Sequence, residues 1–232
     1  MDQISIPTTS ALFYSLMGGI LPALFWLWFW IREDKLNPEP RGRIMLAFIA
    51  GMVAVPIAYP IQAWAYGLFG MGIATLIIWA TAEEILKYAA AGFTGLLSRA
   101  FDEPIDAMIY LITAALGFAA LENTMFILNP LLDGNLQASF ATGNMRFIGA
   151  SLLHVVSSAA LGYCIAREFY RSVMAKIAFR IIGLVLAIGL HTLFNTYILY
   201  KNGEQTFIVF SFVWMGALAL LLLFERVKKI TK

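Results

Sequence analysis

Charge is scarce in this sequence. Only 13% of its 232 residues are Asp, Glu, Lys or Arg, against about 25% in soluble domains. With 61% hydrophobic residues and a mean hydropathy of +0.79, the composition excludes an ordinary soluble domain and points to a polytopic membrane protein. Cysteine is nearly absent. The single Cys164 rules out an intramolecular disulfide framework and any Cys-cluster metal site. It sits in an apolar run and reads as a small packing residue. Histidine is almost as rare, with only His154 and His191. The first ten residues lack Lys and Arg, and the apolar run that follows exceeds twenty residues. An anchor that stays is therefore expected, not a cleaved signal peptide. No repeat, low-complexity tract or soluble domain is visible, so residues 1–232 read as one integral-membrane domain.

Seven spans are expected, at about 11–31, 44–66, 71–97, 104–128, 145–166, 177–200 and 206–224. The fold class is all-α, a polytopic membrane helical bundle. The second and third spans are separated only by Gly67, Gly70 and Gly72, and Pro56 and Pro60 predict a kink in the second. Basic residues set the orientation. Arg32, Lys35, Arg41, Arg43, Arg99, Arg167, Arg171, Lys176, Arg180, Arg226, Lys228, Lys229 and Lys232 fall on one side, 13 of 16, while Arg146 and Lys201 fall on the other. The positive-inside rule then gives N-terminus out and C-terminus in. Trp26, Trp28 and Trp30 fit an aromatic belt at an interface.

The stretch WATAEEILKY, Trp79 to Tyr88, interrupts the third span with Glu83, Glu84 and Lys87. A charged residue at the centre of a spanning helix costs about 2.5–3.5 kcal/mol on insertion scales. Partners elsewhere in the membrane are required. Candidates are Asp106 near a span end, Glu122 and Asn123, His154, and His191 with Asn195. At 1.5 Å per residue from the outer ends, Glu83 lies about 18 Å deep, Glu122 about 9 Å, His154 about 14 Å and His191 about 12 Å. Four helices thus place ionisable groups in one slab, which one shared polar site explains better than coincidence. Simpler readings exist for each member. Glu83 and Lys87 at i,i+4 can pair along one helix face. Glu122 can be a structural carboxylate, and a membrane His can be an interhelical hydrogen-bonder worth about 0.6–2 kcal/mol. None of these explains Glu84, about 100° around the helix from Glu83.

Carboxylates and imidazoles around a wet pocket can activate water: a Glu as general base, a His donating to an oxyanion or orienting the base. Two His and a Glu, such as His154, His191 and Glu122, are alternatively a sufficient ligand set for a catalytic zinc. Both schemes are hydrolytic. Several intramembrane hydrolase signatures are missing. There is no His-Glu-x-x-His, no Gly-x-Gly-Asp and no Gly-x-Ser-Gly, since Gly149-Ala150-Ser151-Leu152 departs at its last position. Leu132-Asp133-Gly134 echoes the Asp motif of site-2 zinc proteases, but lies in an expected external loop without the partner motif.

Glu83-Glu84-Ile85-Leu86-Lys87 resembles the Glu-Glu-x-x-Lys motif of the PrsW family, itself similar to CAAX prenyl protease-like membrane proteins. Further matches follow in order. Asn37-Pro38-Glu39-Pro40 resembles the first-loop signature, Phe101 to Asp106 the loop before the fourth span, and Phe118 to Asn123 the Phe-x-x-x-Glu-Asn motif. Arg146, then His154 with Gly162, resembles the next motif, and Gly189-Leu190-His191 with Asn195 the last. The resemblance covers about residues 35–200. Two positions depart from the family pattern: Ala107 stands where Gly is common, and Asn195 where Asp is common.

The resemblance implies an intramembrane endopeptidase of a prokaryotic cell membrane that cuts a membrane-anchored protein such as an anti-sigma-factor-like regulator. The catalytic set expected is Glu83, Glu84, Glu122, His154 and His191, with Glu83 or Glu84 activating water. Lys87, Asn123, Arg146 and Asn195 are expected to support it. No cofactor is required if the chemistry is glutamate-driven; zinc on His154, His191 and Glu122 is the metal-dependent form. Lipid and a protein substrate are the expected partners, and no nucleic acid. The rival reading is non-catalytic: a proton-coupled carrier using the glutamates as a relay, a scaffold binding a partner helix, or a b-type haem held by the two histidines.

Overall fold

A computed structural model describes residues 7–200 and 205–230, and among them every regular element is helical. Lys201 and Lys232, counted in the charge asymmetry, lie outside the described residues. Eight α-helices follow one another: α1 Thr8–Trp30, α2 Arg41–Phe69, α3 Ile73–Ala91, α4 Asp106–Leu132, α5 Leu136–Met145, α6 Ser151–Glu168, α7 Val173–Asn195 and α8 Thr206–Val227. Wide π-helical turns at Gly92–Leu96, Arg146–Ala150 and Thr196–Tyr200 continue α3, join α5 to α6 and continue α7.

Among the described residues, six helical segments are long and apolar enough to cross a membrane: those containing α1, α2, α4, α5 with α6, α7 and α8. The segment α3 is the exception. Its nineteen residues carry Glu83, Glu84 and Lys87, and it survives among hydrocarbon by packing between α2 and α7. The seven expected spans are thus met by six apolar segments and one polar one. The break between α2 and α3 falls at Gly70, whose φ of 62° suits a glycine. Helix α2 runs unbroken through Pro56 and Pro60. One expectation changes. The stretch between the fourth and fifth spans is a helix, α5, and not simply a loop. Gly134, at φ 72°, reverses the chain, and Asn135 then caps α5 by accepting from the Ala138 N–H at 2.9 Å.

Helix α4 is the axis of the bundle. It packs against α1, α2 and α6, and residues 107–120 are buried on every side. Apolar residues all around the helix, with no polar stripe, are what a fully enclosed helix requires. Hydrophobic attraction is weak between helices in lipid, so close backbone approach has to supply contact. Gly51 of α2 and Gly117 of α4 provide it: a Cβ on Gly117 would collide with the Phe48 carbonyl, and one on Gly51 with the Ala114 carbonyl. The seam sets the depth of Glu122, five residues beyond Gly117.

Replacing Gly117 by Ala forces this seam apart. A destabilisation of roughly 1–3 kcal/mol is expected from overpacking, read as a lower thermal midpoint in detergent. Gly67→Ala on α2, where nothing lies within 4 Å, should leave the midpoint unchanged or slightly raised. Equal midpoints for both variants would contradict this packing.

Candidate active site

The turn of α3 from Glu83 to Lys87 aims its three charged side chains at the bundle interior, where all three are buried. Lys87 does not pair with Glu83 at i,i+4. Its Nζ meets Glu84 Oε1 at 2.6 Å, an i,i+3 contact, and His154 Nδ1 of α6 at 2.9 Å. Glu84 is saturated. Its Oε1 also accepts from Ser157 at 2.9 Å and from His191 Nδ1 of α7 at 2.7 Å, while Oε2 accepts from Ser158 at 3.0 Å. One carboxylate therefore ties α3 to both α6 and α7.

Glu83 has a different environment. Its Oε1 accepts from Gln62 of α2 at 2.7 Å, and the Trp79 indole fixes that partner by donating to the Gln62 carbonyl at 2.9 Å. Glu83 Oε2 is buried and receives no hydrogen bond; His191 Nε2 is 3.6 Å away. Adjacent glutamates, pointing in different directions, have thus been given separate roles by the fold.

Glu122 of α4 completes the set. It accepts from Arg146, which opens the π-helical turn before α6, and faces His154 Nε2 at 3.1 Å. Arg146 Nε also donates to Asn123 Oδ1 at 2.5 Å, and the Asn123 amide donates to Ser151 at 3.0 Å. Its guanidinium lies 4.0 Å from the Phe126 ring centroid, a cation–π contact. With Lys87 donating to Nδ1, His154 carries its proton on Nε2 and donates to Glu122. His191, donating from Nδ1 to Glu84, turns an open Nε2 lone pair toward Glu83 by the same reasoning.

A cavity of 910 Å³ opens onto these groups. Glu83, Glu122, His154, His191, Arg146 and Asn195 line it; Glu84 and Lys87 do not. Its remaining wall is largely apolar and aromatic, including Tyr59, Trp79, Phe126 and Phe207. The structure thus gathers Glu83, Glu84, Glu122, His154, His191, Lys87, Asn123 and Arg146 into one network, with Asn195 at its edge. Gln62, Ser157 and Ser158 were not anticipated. The two serines had a readable signal, standing three and four residues after His154 and so on its helix face. Gln62 had a weaker one, a lone amide within an apolar span.

One ligand atom from each of Glu83, His154 and His191 lies within 4.8 Å of the others. Glu83, and not Glu122, stands in this group; Glu122 is paired with Arg146. Two imidazoles and a carboxylate suit zinc, and the orphaned Glu83 Oε2 gives the fit a structural basis. Glu83 Oε2 and His191 Nε2 present open lone pairs, whereas both nitrogens of His154 are engaged. A haem is a poor fit. The two imidazole rings stand edge to face with centroids 5.1 Å apart, leaving no slot for a porphyrin between them.

Comparison with known proteins gives a consistent result. Residues 39–222 match the family described as PrsW family intramembrane metalloprotease. A Protease PrsW of Geobacillus kaustophilus is 28% identical over 123 residues, 50% of this chain and 53% of the relative, so that match spans about half of each protein. The Protease PrsW of Halalkalibacterium halodurans is 21% identical over 87% of this chain and 91% of its own length, and that of Bacillus subtilis 23% identical over 78% and 80%. No solved structure matches the chain significantly.

Glu84 and Glu83 should separate in stability measurements. Glu84→Gln leaves Lys87 buried without its counter-charge, and breaking a buried pair costs about 3–5 kcal/mol. Glu83→Gln removes no saturated partner and retains the side-chain shape, so its midpoint should stay close to wild type. Thermal unfolding of both proteins in detergent checks the contrast. Parity between them would refute the assigned roles.

Proposed function

The chain belongs to the PrsW family of intramembrane metalloproteases, and from that footing we propose that it hydrolyses a peptide bond of a membrane-anchored protein, with Glu83 as the base. It is an integral membrane protein of prokaryotic type. The observation that carries the assignment is the asymmetry of the two glutamates. Glu83 lines the cavity with a free, buried carboxylate oxygen, while Glu84 is sealed behind it by Lys87, His191, Ser157 and Ser158.

Glu83 Oε2 accepts a proton from a water in the cavity as that water attacks the scissile carbonyl carbon. The carbonyl oxygen becomes the oxyanion of a tetrahedral intermediate. Arg146, which faces the cavity and has N–H groups beyond those given to Glu122 and Asn123, is suited to meet that developing negative charge. Collapse of the intermediate breaks the C–N bond, and the proton held by Glu83 passes to the leaving amine. Glu84 does not touch the reacting atoms. It positions His191 and Lys87, and Lys87 in turn fixes the orientation of His154. Glu122 keeps Arg146 and His154 aimed at the cavity. A metal ion, which the family description implies, would be held by the open lone pairs of Glu83 and His191, with His154 joining them only on releasing Glu122, and would supply Lewis-acid polarisation of water and carbonyl; Glu83 would then be a ligand and not the base.

The aromatic wall and polar floor of the cavity suit a substrate with an apolar segment beside its cut site. A single-span regulator of the anti-sigma-factor kind has that character. A carrier using the same glutamates would need no peptide-bond cleavage, so a cleavage assay separates the two readings.

Reconstituted protein should cut a single-span substrate, and Glu83→Gln should lower turnover about 10²–10⁴-fold, the usual contribution of a general base. His154→Ala and Arg146→Ala should also lose activity. Wild-type turnover in Glu83→Gln sinks the assignment. Stoichiometric zinc by elemental analysis, together with loss of turnover on chelation, would identify the metal-dependent form; activity that survives chelators would identify the glutamate-driven one.

A further inference from the structure

A second group of acidic side chains lies at the other end of α4, about 24 Å along the helix axis from Glu122. Asp34 and Glu39 come from the α1–α2 connection; Asp102, Glu103 and Asp106 come from the start of α4 and the loop before it. Among the described residues, none of these five carboxylates forms a salt bridge. One oxygen from each of Asp34, Glu103 and Asp106 lies within 4.8 Å of the other two. Two of the three are deeply buried, Asp34 at 4% and Asp106 at 0% exposure.

A second observation points to a ligand. Asp34 Oδ2 and Asp106 Oδ1 are buried and receive no hydrogen bond. Asp106 is otherwise well held: its Oδ2 accepts from the Asp102 and Glu103 backbone N–H groups at 3.0 and 2.8 Å. Tyr110 donates to Glu39, and Asn37 to Asp102 at 3.2 Å. The polypeptide thus holds Asp106 in place and leaves one buried oxygen on each of Asp34 and Asp106 without a donor. Buried unpaired charge of one sign is costly.

We propose that Asp34, Glu103 and Asp106 form a binding site for a hard divalent cation, Ca²⁺ or Mg²⁺, that fastens the α1–α2 connection to the start of α4. All-oxygen carboxylate donors select this class over the softer metals that imidazole favours. The span between the donor oxygens is one that two Ca–O bonds of about 2.4 Å bridge. The site is separate from the cavity. It acts on α4, the helix that carries Glu122 and Asn123.

Terbium luminescence tests the proposal, because Tb³⁺ binds oxygen cages and the Tyr110 phenol, bonded to Glu39, is placed to sensitise it. Full-length protein in detergent, stripped with EDTA and desalted, is titrated with Tb³⁺ under tyrosine excitation. A saturable signal is expected, displaced by excess Ca²⁺ or Mg²⁺, lost in Asp34→Asn and Asp106→Asn, and retained in Glu83→Gln. Asp106→Asn also weakens the contacts to the Asp102 and Glu103 N–H groups that hold the chain there, so Asp34→Asn is followed by thermal melting as well. In EDTA its midpoint should equal or exceed wild type, since a like charge has gone. Added Ca²⁺ or Mg²⁺ should raise the wild-type midpoint and leave the variant unmoved. No saturable signal, a signal undiminished in Asp34→Asn, or one abolished by Glu83→Gln would overturn the proposal.

Discussion

The buried contact between Lys87 and Glu84 is the constraint on which the interior depends. Neither charge can reach water, and neither is tolerable alone at that depth. Pairing removes most of the problem, but a carboxylate has more lone pairs than one ammonium can use. Ser157, Ser158 and His191 take the rest. Three helices are therefore fastened to one another by the requirement to satisfy a single carboxylate. Buried pairs of this kind add little net stability compared with apolar packing. Their contribution is to specify one arrangement, since any sliding of α3 against α6 or α7 would strand a charge.

Satisfying Glu84 so completely is also what makes Glu83 available. A free oxygen beside a saturated network is held in place by neighbours that do not compete for it. Gln62 and Trp79 fix the other half of the carboxylate, so the undonated oxygen has little rotational freedom. This is the preorganisation that a general base needs. The same network fixes the ring orientations of both histidines without occupying His191 Nε2.

Much of this was legible in the chain itself. Charged residues within apolar runs announced that partners existed, and counting rise per residue placed Glu83, Glu122, His154 and His191 within one slab. The Glu-Glu-x-x-Lys and Glu-Asn motifs then attached a family. Direction around the helix was less accessible. Sequence alone does not reveal which of two neighbouring glutamates faces the cavity, because that depends on how α3 is rotated against α2 and α7. Gln62 stayed hidden because a single amide in a span is as compatible with an interhelical bond as with a site. The acidic group near Asp34 was equally obscure: its members come from two connections that only the fold brings together. Helix α5 was masked by short polar stretches between spans, where Asn135 as a cap was the one local sign.

The π-helical turn at Arg146–Ala150 has a consequence for phase. In a regular α-helix, residues eight apart are about 80° out of register, so Arg146 and His154 would face different neighbours. A wide turn takes up one additional residue, which sets the helix back by about 100°. The two side chains then project to nearly the same side, and both reach Glu122. The turn is thus a phase corrector between Arg146 and His154. Were the same residues wound as regular α-helix with His154 held in place, Arg146 would swing about 100° away from the carboxylate it guards.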